Sequence, residues 1–296
     1  MQRKITVLAP AKINLFLDVL SKRADGYHDI SSVMQTIGIF DMVKLTALDP
    51  EVGERRIDVA CDGGAPEGEE NTVYRAAEQF FNAAEIGEFS VSFGIEKRIP
   101  QQAGLGGGSS DAAAAIIALN EVYKTDLSLE QMCKIGAAVG SDVPYCIKKG
   151  TCVVSGVGDV LQSTTPMPEC VIVVAKPEGE SVSTAEAYAK IDAIDAHGDI
   201  EKMTSALAEC SLEKIGESMF NKFEYVIDER SDIFKLKQTL VLAGSPAVMM
   251  TGSGSAVYAL YDDVSAAKSA AEALSDIAEV FVCRPVRRAY RFIEQG

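Results

Sequence analysis

Four glycines in five positions, Gly104, Gly106, Gly107 and Gly108, sit inside the string Pro100-Gln101-Gln102-Ala103-Gly104-Leu105-Gly106-Gly107-Gly108-Ser109-Ser110-Asp111. Residues without a Cβ let the backbone come close to a bulky anion. The alanine-rich stretch that follows reads as a helix, whose first turn offers unpaired N–H groups and the positive end of the dipole. Ser109 and Ser110 add hydroxyls that can bond a phosphate or a Mg²⁺-bound water. The chemistry implied is the cradling of a polyphosphate. The plain alternative is a tight turn with Ser109 as an ordinary N-cap, but four glycines exceed what a cap requires.

Two commoner phosphate loops fit less well. A Walker loop requires Gly-Lys followed by Ser or Thr, and this chain has no such tripeptide. Gly104-Leu105-Gly106 is a near miss to the dinucleotide fingerprint, without the acid that closes a second strand at the expected distance. Three further elements gain meaning only beside the loop. Lys12 and Asn14, in Ala9-Pro10-Ala11-Lys12-Ile13-Asn14, lie two residues apart and so on one face of a strand; alone, Lys12 is a snorkelling surface residue. Asp142, in Gly140-Ser141-Asp142-Val143-Pro144, is by itself a turn or cap carboxylate. Thr251-Gly252-Ser253-Gly254-Ser255 is by itself a hairpin turn.

The elements that must position these residues can be read from periodicity. Ile13–Leu20 alternates, with Ile13, Leu15, Leu17 and Val19 forming one aliphatic face of a strand. A turn at Ala24-Asp25-Gly26 and an extended stretch over 31–48 follow. Asn71 caps a helix to Ala84, Phe89–Ile95 alternates as a strand, and a helix is expected over Ser109–Tyr123. Ser128 with Gln131 is a capping box opening a helix toward Val139, which Gly140–Pro144 ends. Beyond it come a buried strand over Cys170–Ala175, helices near 184–191, 200–210, 212–227 and 233–242, strands over 247–251 and 256–261, a helix over 265–277 and a closing strand over 280–284. This mixture points to α+β domains, with a boundary near Gly156–Pro168 that divides the chain into 1–157 and 158–296.

The chain of 296 residues fits two domains of ordinary size, and its 47% hydrophobic content is that of a globular protein. A net charge of −15 is the opposite of what a nucleic-acid binder carries, so any anion site must be built locally from backbone N–H groups and a few cations. No apolar run approaches the roughly 20 residues of a membrane span. The seven cysteines form no CxxC pair, which leads us to expect reduced thiols in a cytoplasmic protein. With two histidines and no clustered cysteine, a structural zinc site is not expected.

Together, the three glycine- and lysine-bearing motifs resemble those of the GHMP kinase superfamily. Ala9–Asp18, Ile99–Asn120, Gly140–Pro144, Met250–Tyr258 and above all Arg23-Ala24-Asp25-Gly26-Tyr27-His28 resemble its branch of 4-diphosphocytidyl-2-C-methyl-D-erythritol kinases, over nearly the whole chain. The resemblance implies an α+β fold of two domains, the first like ribosomal protein S5 and the second ferredoxin-like. It implies ATP as co-substrate with Mg²⁺, an acceptor carrying cytidine diphosphate, and a monomer or homodimer. Its catalytic residues would be Lys12 and Asp142, the latter as base. Pro100, Ala103, Gly104, Leu105, Gly106, Gly107, Gly108, Ser109 and Ser110 would hold the nucleotide. Asn14, Tyr27, His28, Thr184, Tyr188, Gly252 and Ser253 would contact the acceptor, with Tyr27, His28 and Tyr188 around the cytosine. Two departures stand out: Ser255 replaces a proline common in relatives, and Val157 replaces an arginine. Other acceptors of the superfamily (mevalonate, homoserine, sugars) and a non-catalytic sensor remain the competing readings.

Overall fold

A computed structural model describes residues 2–179, 182, 184–287 and 292–293. Its framework is one long hairpin, β1 (Gln2–Lys22) and β2 (His28–Leu48), paired antiparallel from Gln2↔Leu48 to Lys22↔His28. The turn between them has Gly26 at φ 88°, a left-handed conformation that glycine adopts without cost. β4 (Phe89–Glu96) pairs with the outer half of β2 and β3 (Arg55–Cys61) with β4; β5 (Thr151–Gly156) pairs with its inner half and β6 (Val160–Ser163) with β5.

A second, four-stranded antiparallel sheet has the order β11 (Ala278–Cys283), β7 (Val171–Pro177), β10 (Val257–Tyr261), β9 (Ala247–Met250). The two sheets do not divide the chain cleanly at residue 157. β6, β8 (Phe220–Asn221) and β12 (Phe292–Ile293) all join the first sheet, the last two against β1.

Helix α1 (Thr72–Ala83) buries Val73, Ala76, Ala77, Phe80 and Phe81, and Asn71 caps it by accepting from Val73 N. α2 (Gly107–Tyr123) packs on β1 and on α1; its alanines, buried on every side, permit close approach to the sheet. α3 (Leu129–Ala137) opens with the expected capping box. Gly140–Pro144 does more than end it. Val143–Lys148 forms a further short helix, α4, with proline in its first turn where the missing N–H costs nothing. α5 (Thr184–Ile191) and α6 (Ile200–Ala208) follow as expected. The helix expected over 212–227 is broken. α7 (Leu212–Ser218) stops, β8 pairs beside β1, and a 3₁₀ turn covers Lys222–Val226. α8 (Asp232–Leu242) and α9 (Val264–Leu274) pack on the second sheet.

β1 carries the second correction. Ile13, Leu15, Leu17 and Val19 do not share one face: Ile13 and Leu15 pack with Ile172, Val174, Tyr258 and Leu260 of the second sheet, whereas Leu17 and Val19 join the core under α2. Register shifts between Pro10 and Lys12 and between Asn14 and Phe16 turn the strand over. Side chains alternate with a period of two, so each irregularity sends the following residues to the opposite face. The inverted segment, 11–15, seals the two sheets together and points Lys12 and Asn14 into the cleft beside them.

Candidate active site

The inverted segment of β1 forms the floor of a cleft of about 660 Å³. Lys12, Asn14, Asp142, Tyr188, Gly104 and Gly252 are among its lining residues, so all three motifs and Tyr188 converge here. A second cavity, of about 370 Å³, lies along Pro100–Ser109 and is also lined by Lys97 and Asp111. Gln102, Gly104 and Gly106 line both. The glycine-rich loop is therefore the wall between two compartments, with room for a different reactant in each.

Lys12 is buried, and its ammonium donates to Asn14 Oδ1 at 2.8 Å and stands 3.5 Å from Asp142 Oδ2. Asp142 occupies the N-cap position of α4 yet makes no side-chain cap bond. That removes the reading of Asp142 as a mere cap: its carboxylate, 28% exposed, is turned to the cleft and to Lys12. Gly158, at φ 110°, packs against Ser141 and braces this turn.

Asn14 is held entirely by the protein. Its Nδ2 donates to Ser32 Oγ at 2.9 Å, and its Oδ1 accepts from Lys12 Nζ, from Gly252 N at 3.2 Å and from Thr251 Oγ1 at 3.4 Å. It acts as the joint between the first motif and the third. The third motif also buttresses the glycine-rich loop: Thr251 Oγ1 donates to Gly104 O at 3.3 Å and Ala256 N to Ala103 O at 3.2 Å. A Cβ on Gly104 would stand 2.0 Å from Thr251 O, so only glycine permits this packing. Asn221, which sequence reasoning missed, supports the turn from below through bonds to Met250 O and Gly252 O. Gly252 and Ser253 also face the cleft.

α2 begins at Gly107, two residues earlier than expected, with Gly106 as N-cap in the left-handed region at φ 71° and no side-chain cap. Its first two residues, Gly107 and Gly108, thus present bare backbone to the smaller cavity. A Cβ at Gly106 would meet Lys12 Cγ at 2.9 Å, so the glycine also makes room for the lysine. Ser109 lines this cavity, whereas the Ser110 hydroxyl turns inward and donates to Pro10 O at 2.7 Å. Ala103 and Leu105 are buried and offer backbone only.

Sequence reasoning also missed an ion triad behind the loop. Lys97 Nζ donates to Asp111 Oδ2 at 2.6 Å and to Asp41 Oδ2. Asp41 Oδ1 accepts from Arg98 N at 2.5 Å and Ile99 N at 2.8 Å. Burial pushes the Asp111 carboxyl up to about 7; Lys97 pulls against this and Asp41 adds to it. Lys97 is displaced upward from its ordinary value, because burial, which lowers it, is outweighed by Asp111 and Asp41. Lys97 and Asp111 flank the recognised motif, but Asp41 lies far away in sequence and only the fold brings it in.

At the far end the His28 and Tyr188 rings stack with centroids 4.7 Å apart, and Tyr188 also meets Phe223 edge-on. Burial, then the Asp142 charge, pushes the Tyr188 hydroxyl up to about 12. His28 Nε2 lies 2.7 Å from Asp192 Oδ1 and lines a neighbouring cavity of about 430 Å³. Tyr27 is not brought to the cleft wall; it is 63% exposed in the β1–β2 turn. Thr184 opens α5, but its side chain lies outside the described residues. Val157 lines the cleft and offers it no charge. Among the described residues no cluster of three His, Cys, Asp or Glu is placed to hold a metal ion, the seven cysteines are free, and no helix is long and apolar enough to cross a membrane.

Comparison with known proteins agrees with this geometry. Residues 71–150 match the GHMP kinases N terminal domain and residues 203–279 the GHMP kinases C terminal domain. The 4-diphosphocytidyl-2-C-methyl-D-erythritol kinase of Exiguobacterium sibiricum is 40% identical over 95% of this chain and 97% of its own. A crystal structure of 4-(cytidine 5'-diphospho)-2C-methyl-D-erythritol kinase superposes with a TM-score of 0.77 at 30% identity, covering 96% of this chain and 99% of that one. Homoserine kinase from Cytophaga hutchinsonii superposes with a TM-score of 0.79 at 19% identity over 99% and 98% of the two chains, a likeness of fold alone. The chain belongs to the GHMP kinases, in the branch of the 4-diphosphocytidyl-2-C-methyl-D-erythritol kinases.

Proposed function

We propose that this chain transfers the γ-phosphoryl group of ATP to the 2-hydroxyl of 4-diphosphocytidyl-2-C-methyl-D-erythritol, a step of isoprenoid precursor synthesis. The observation that carries this reading is the Lys12–Asp142 pair, 3.5 Å apart, set where the glycine-rich loop separates two cavities. ATP lies along the smaller cavity, with its β- and γ-phosphates against the N–H groups of Gly107, Gly108 and Ser109 and the positive end of α2. The acceptor enters the larger cleft with its hydroxyl between Lys12 and Asp142.

Asp142 accepts the hydrogen bond of that hydroxyl and orients its oxygen for in-line attack. The bond from the acceptor oxygen to the γ-phosphorus forms as the β–γ bridge breaks, ADP leaves, and the proton passes late to Asp142. A carboxylate suffices as base because the proton moves after the phosphorus is largely transferred. The Lys12 ammonium, fixed by Asn14, meets the charge on the transferring group from a dry, preset position. A Mg²⁺ ion arriving with the nucleotide would be held by phosphate oxygens and water, with Asp142 and Glu186 the carboxylates of the cleft. Such an ion would supply positive charge against that of the phosphates.

The relatives' acceptor supports a cytidine site at the far end of the cleft, where Tyr188, backed by the stacked His28 ring, offers an aromatic surface. ADP release is the test, measured with Mg²⁺ and the cytidylyl acceptor against mevalonate, homoserine and galactose. Turnover with the cytidylyl compound alone is expected, and chelating the metal should abolish it. Turnover with another acceptor overturns the cytidine site but leaves Lys12 and Asp142 their roles. No turnover with any acceptor, while ATP still binds, makes the chain a sensor.

A further inference from the structure

The glycine-rich loop is irregular between strand and helix. Gln102, Gly104 and Gly106 all have positive φ, at 52°, 73° and 71°. Such a segment keeps one shape only if its surroundings over-determine it. Its middle is held by Thr251 and Ala256, and Leu105 O accepts from Lys12 N at 2.9 Å. Its two ends are held by the ion triad. At the entry, Asp41 of β2 accepts from the N–H groups of Arg98 and Ile99. At the exit, Asp111 stands in the second turn of α2. Lys97 bridges both carboxylates, and a Cβ on Gly107 would lie 3.3 Å from its Nζ, so the ammonium sits against the first turn of the helix.

The side chains of all three are almost fully enclosed. Three buried ionisable groups are a poor way to gain stability, since apolar residues of like volume do as well. Asp111 Oδ1 is moreover buried without a hydrogen-bond partner. What the triad provides is a fixed distance between the entry and exit of the loop.

We propose that Asp41, Lys97 and Asp111 are positioning residues for the nucleotide: an ionic clasp that ties both ends of the glycine-rich loop to β2 and sets the spacing of the N–H groups that receive the triphosphate. This rests on the kinase reading above. Lys97, Ile99 and Asp111 line the nucleotide cavity and not the acceptor cleft, so the clasp acts first on the nucleotide side. The acceptor cleft takes its shape from Lys12, Asn14 and the third motif, which the triad does not touch.

The test is calorimetric titration of the full chain with a non-hydrolysable ATP analogue and, separately, with the cytidylyl acceptor. Lys97→Met should weaken the analogue by about 10- to 100-fold, the scale of a misplaced binding group, while acceptor affinity stays within about twofold. Lys97→Arg, which keeps the charge and both partners, should recover most of that loss. Analogue binding by Lys97→Met within about twofold of the parent overturns the clasp, as does an equal loss of acceptor affinity, which a merely structural role would give. If Lys97→Met does not fold, Asp111→Asn decides: about a 3- to 10-fold loss confined to the analogue supports the clasp, and no loss overturns it. A parent chain that binds no nucleotide overturns the kinase reading itself, a result distinct from any difference between parent and variant.

Discussion

The two ends of the active cleft are built differently. Around the glycine-rich loop the working groups are buried and already in place: Lys12 on Asn14, Asn14 on Gly252, Gly104 on Thr251, Lys97 between two aspartates. At the proposed cytidine end Tyr27 is 63% exposed, and the ion pairs of Lys22 and Arg23 lie largely at the surface. Exposed pairs are screened and contribute little. The difference fits the two tasks. Phosphoryl transfer gains from dipoles that need no rearrangement at the moment of reaction. A flat base is bound by aromatic faces, which can close on it after it arrives.

The contrast can be broken most decisively at Asp142. Asp142→Asn should lower kcat by about 10²- to 10⁴-fold, with affinity for an ATP analogue nearly unchanged. Near-normal kcat would remove Asp142 from the reaction. Gly104→Ala comes next. Its methyl group would meet Thr251 O at 2.0 Å in a left-handed backbone, so the loop and the third motif must part. A loss of about 1–3 kcal/mol in stability is expected, with higher KM for both substrates; an unchanged melting temperature would mean the contact is soft.

At the base end, Tyr188→Ala should raise KM for the cytidylyl acceptor by about tenfold, the scale of one lost stacking face, and leave KM for ATP alone. Tyr27→Ala should act in the same direction but less. If Tyr27 proves the larger, the β1–β2 turn closes over the base, and the softness of this end is itself part of recognition. Equal effects on both substrates would take either residue out of the cytidine site.

The smallest expected effect concerns Asp111. Its carboxyl is raised in the folded state from 3.8 to about 7. The folded protein therefore holds this proton more tightly than the unfolded chain, and its contribution to stability falls as pH rises through that window. Asp111→Asn has no such proton, so its melting temperature relative to the parent should climb between about pH 4 and 7 and level off above that. A flat difference would mean that Lys97 keeps Asp111 ionised throughout.

Much of this was legible from residue types alone. The four glycines of the loop announce close backbone approach, Asn71 and Ser128 announce helix starts, and Ala24-Asp25-Gly26 announces the turn of the long hairpin, because each works through local backbone geometry. Asp142 was ambiguous, since a carboxylate before Val-Pro caps a helix as readily as it lines a cleft. Only the absent cap bond and the nearby Lys12 decide. Residues 212–227 read as one helix because their apolar spacing suits one, yet Phe220 and Asn221 found a strand partner in Phe16 and Leu17.

By itself the sequence determined the local elements, the phosphate-cradling loop and the set of residues able to do the chemistry, since propensity, capping and glycine freedom act over a few neighbouring positions. The tertiary structure alone decided which faces those residues occupy. The alternation of β1 places Ile13, Leu15, Leu17 and Val19 on one side, but of the two register shifts in its pairing with β2 that bound the inverted segment, the one between Asn14 and Phe16 splits them between two cores. Those shifts aim Lys12 and Asn14 at the cleft, and the same pairing carries Asp41 to the foot of the loop. Strand register is a property of two chain segments together, and no single segment encodes it.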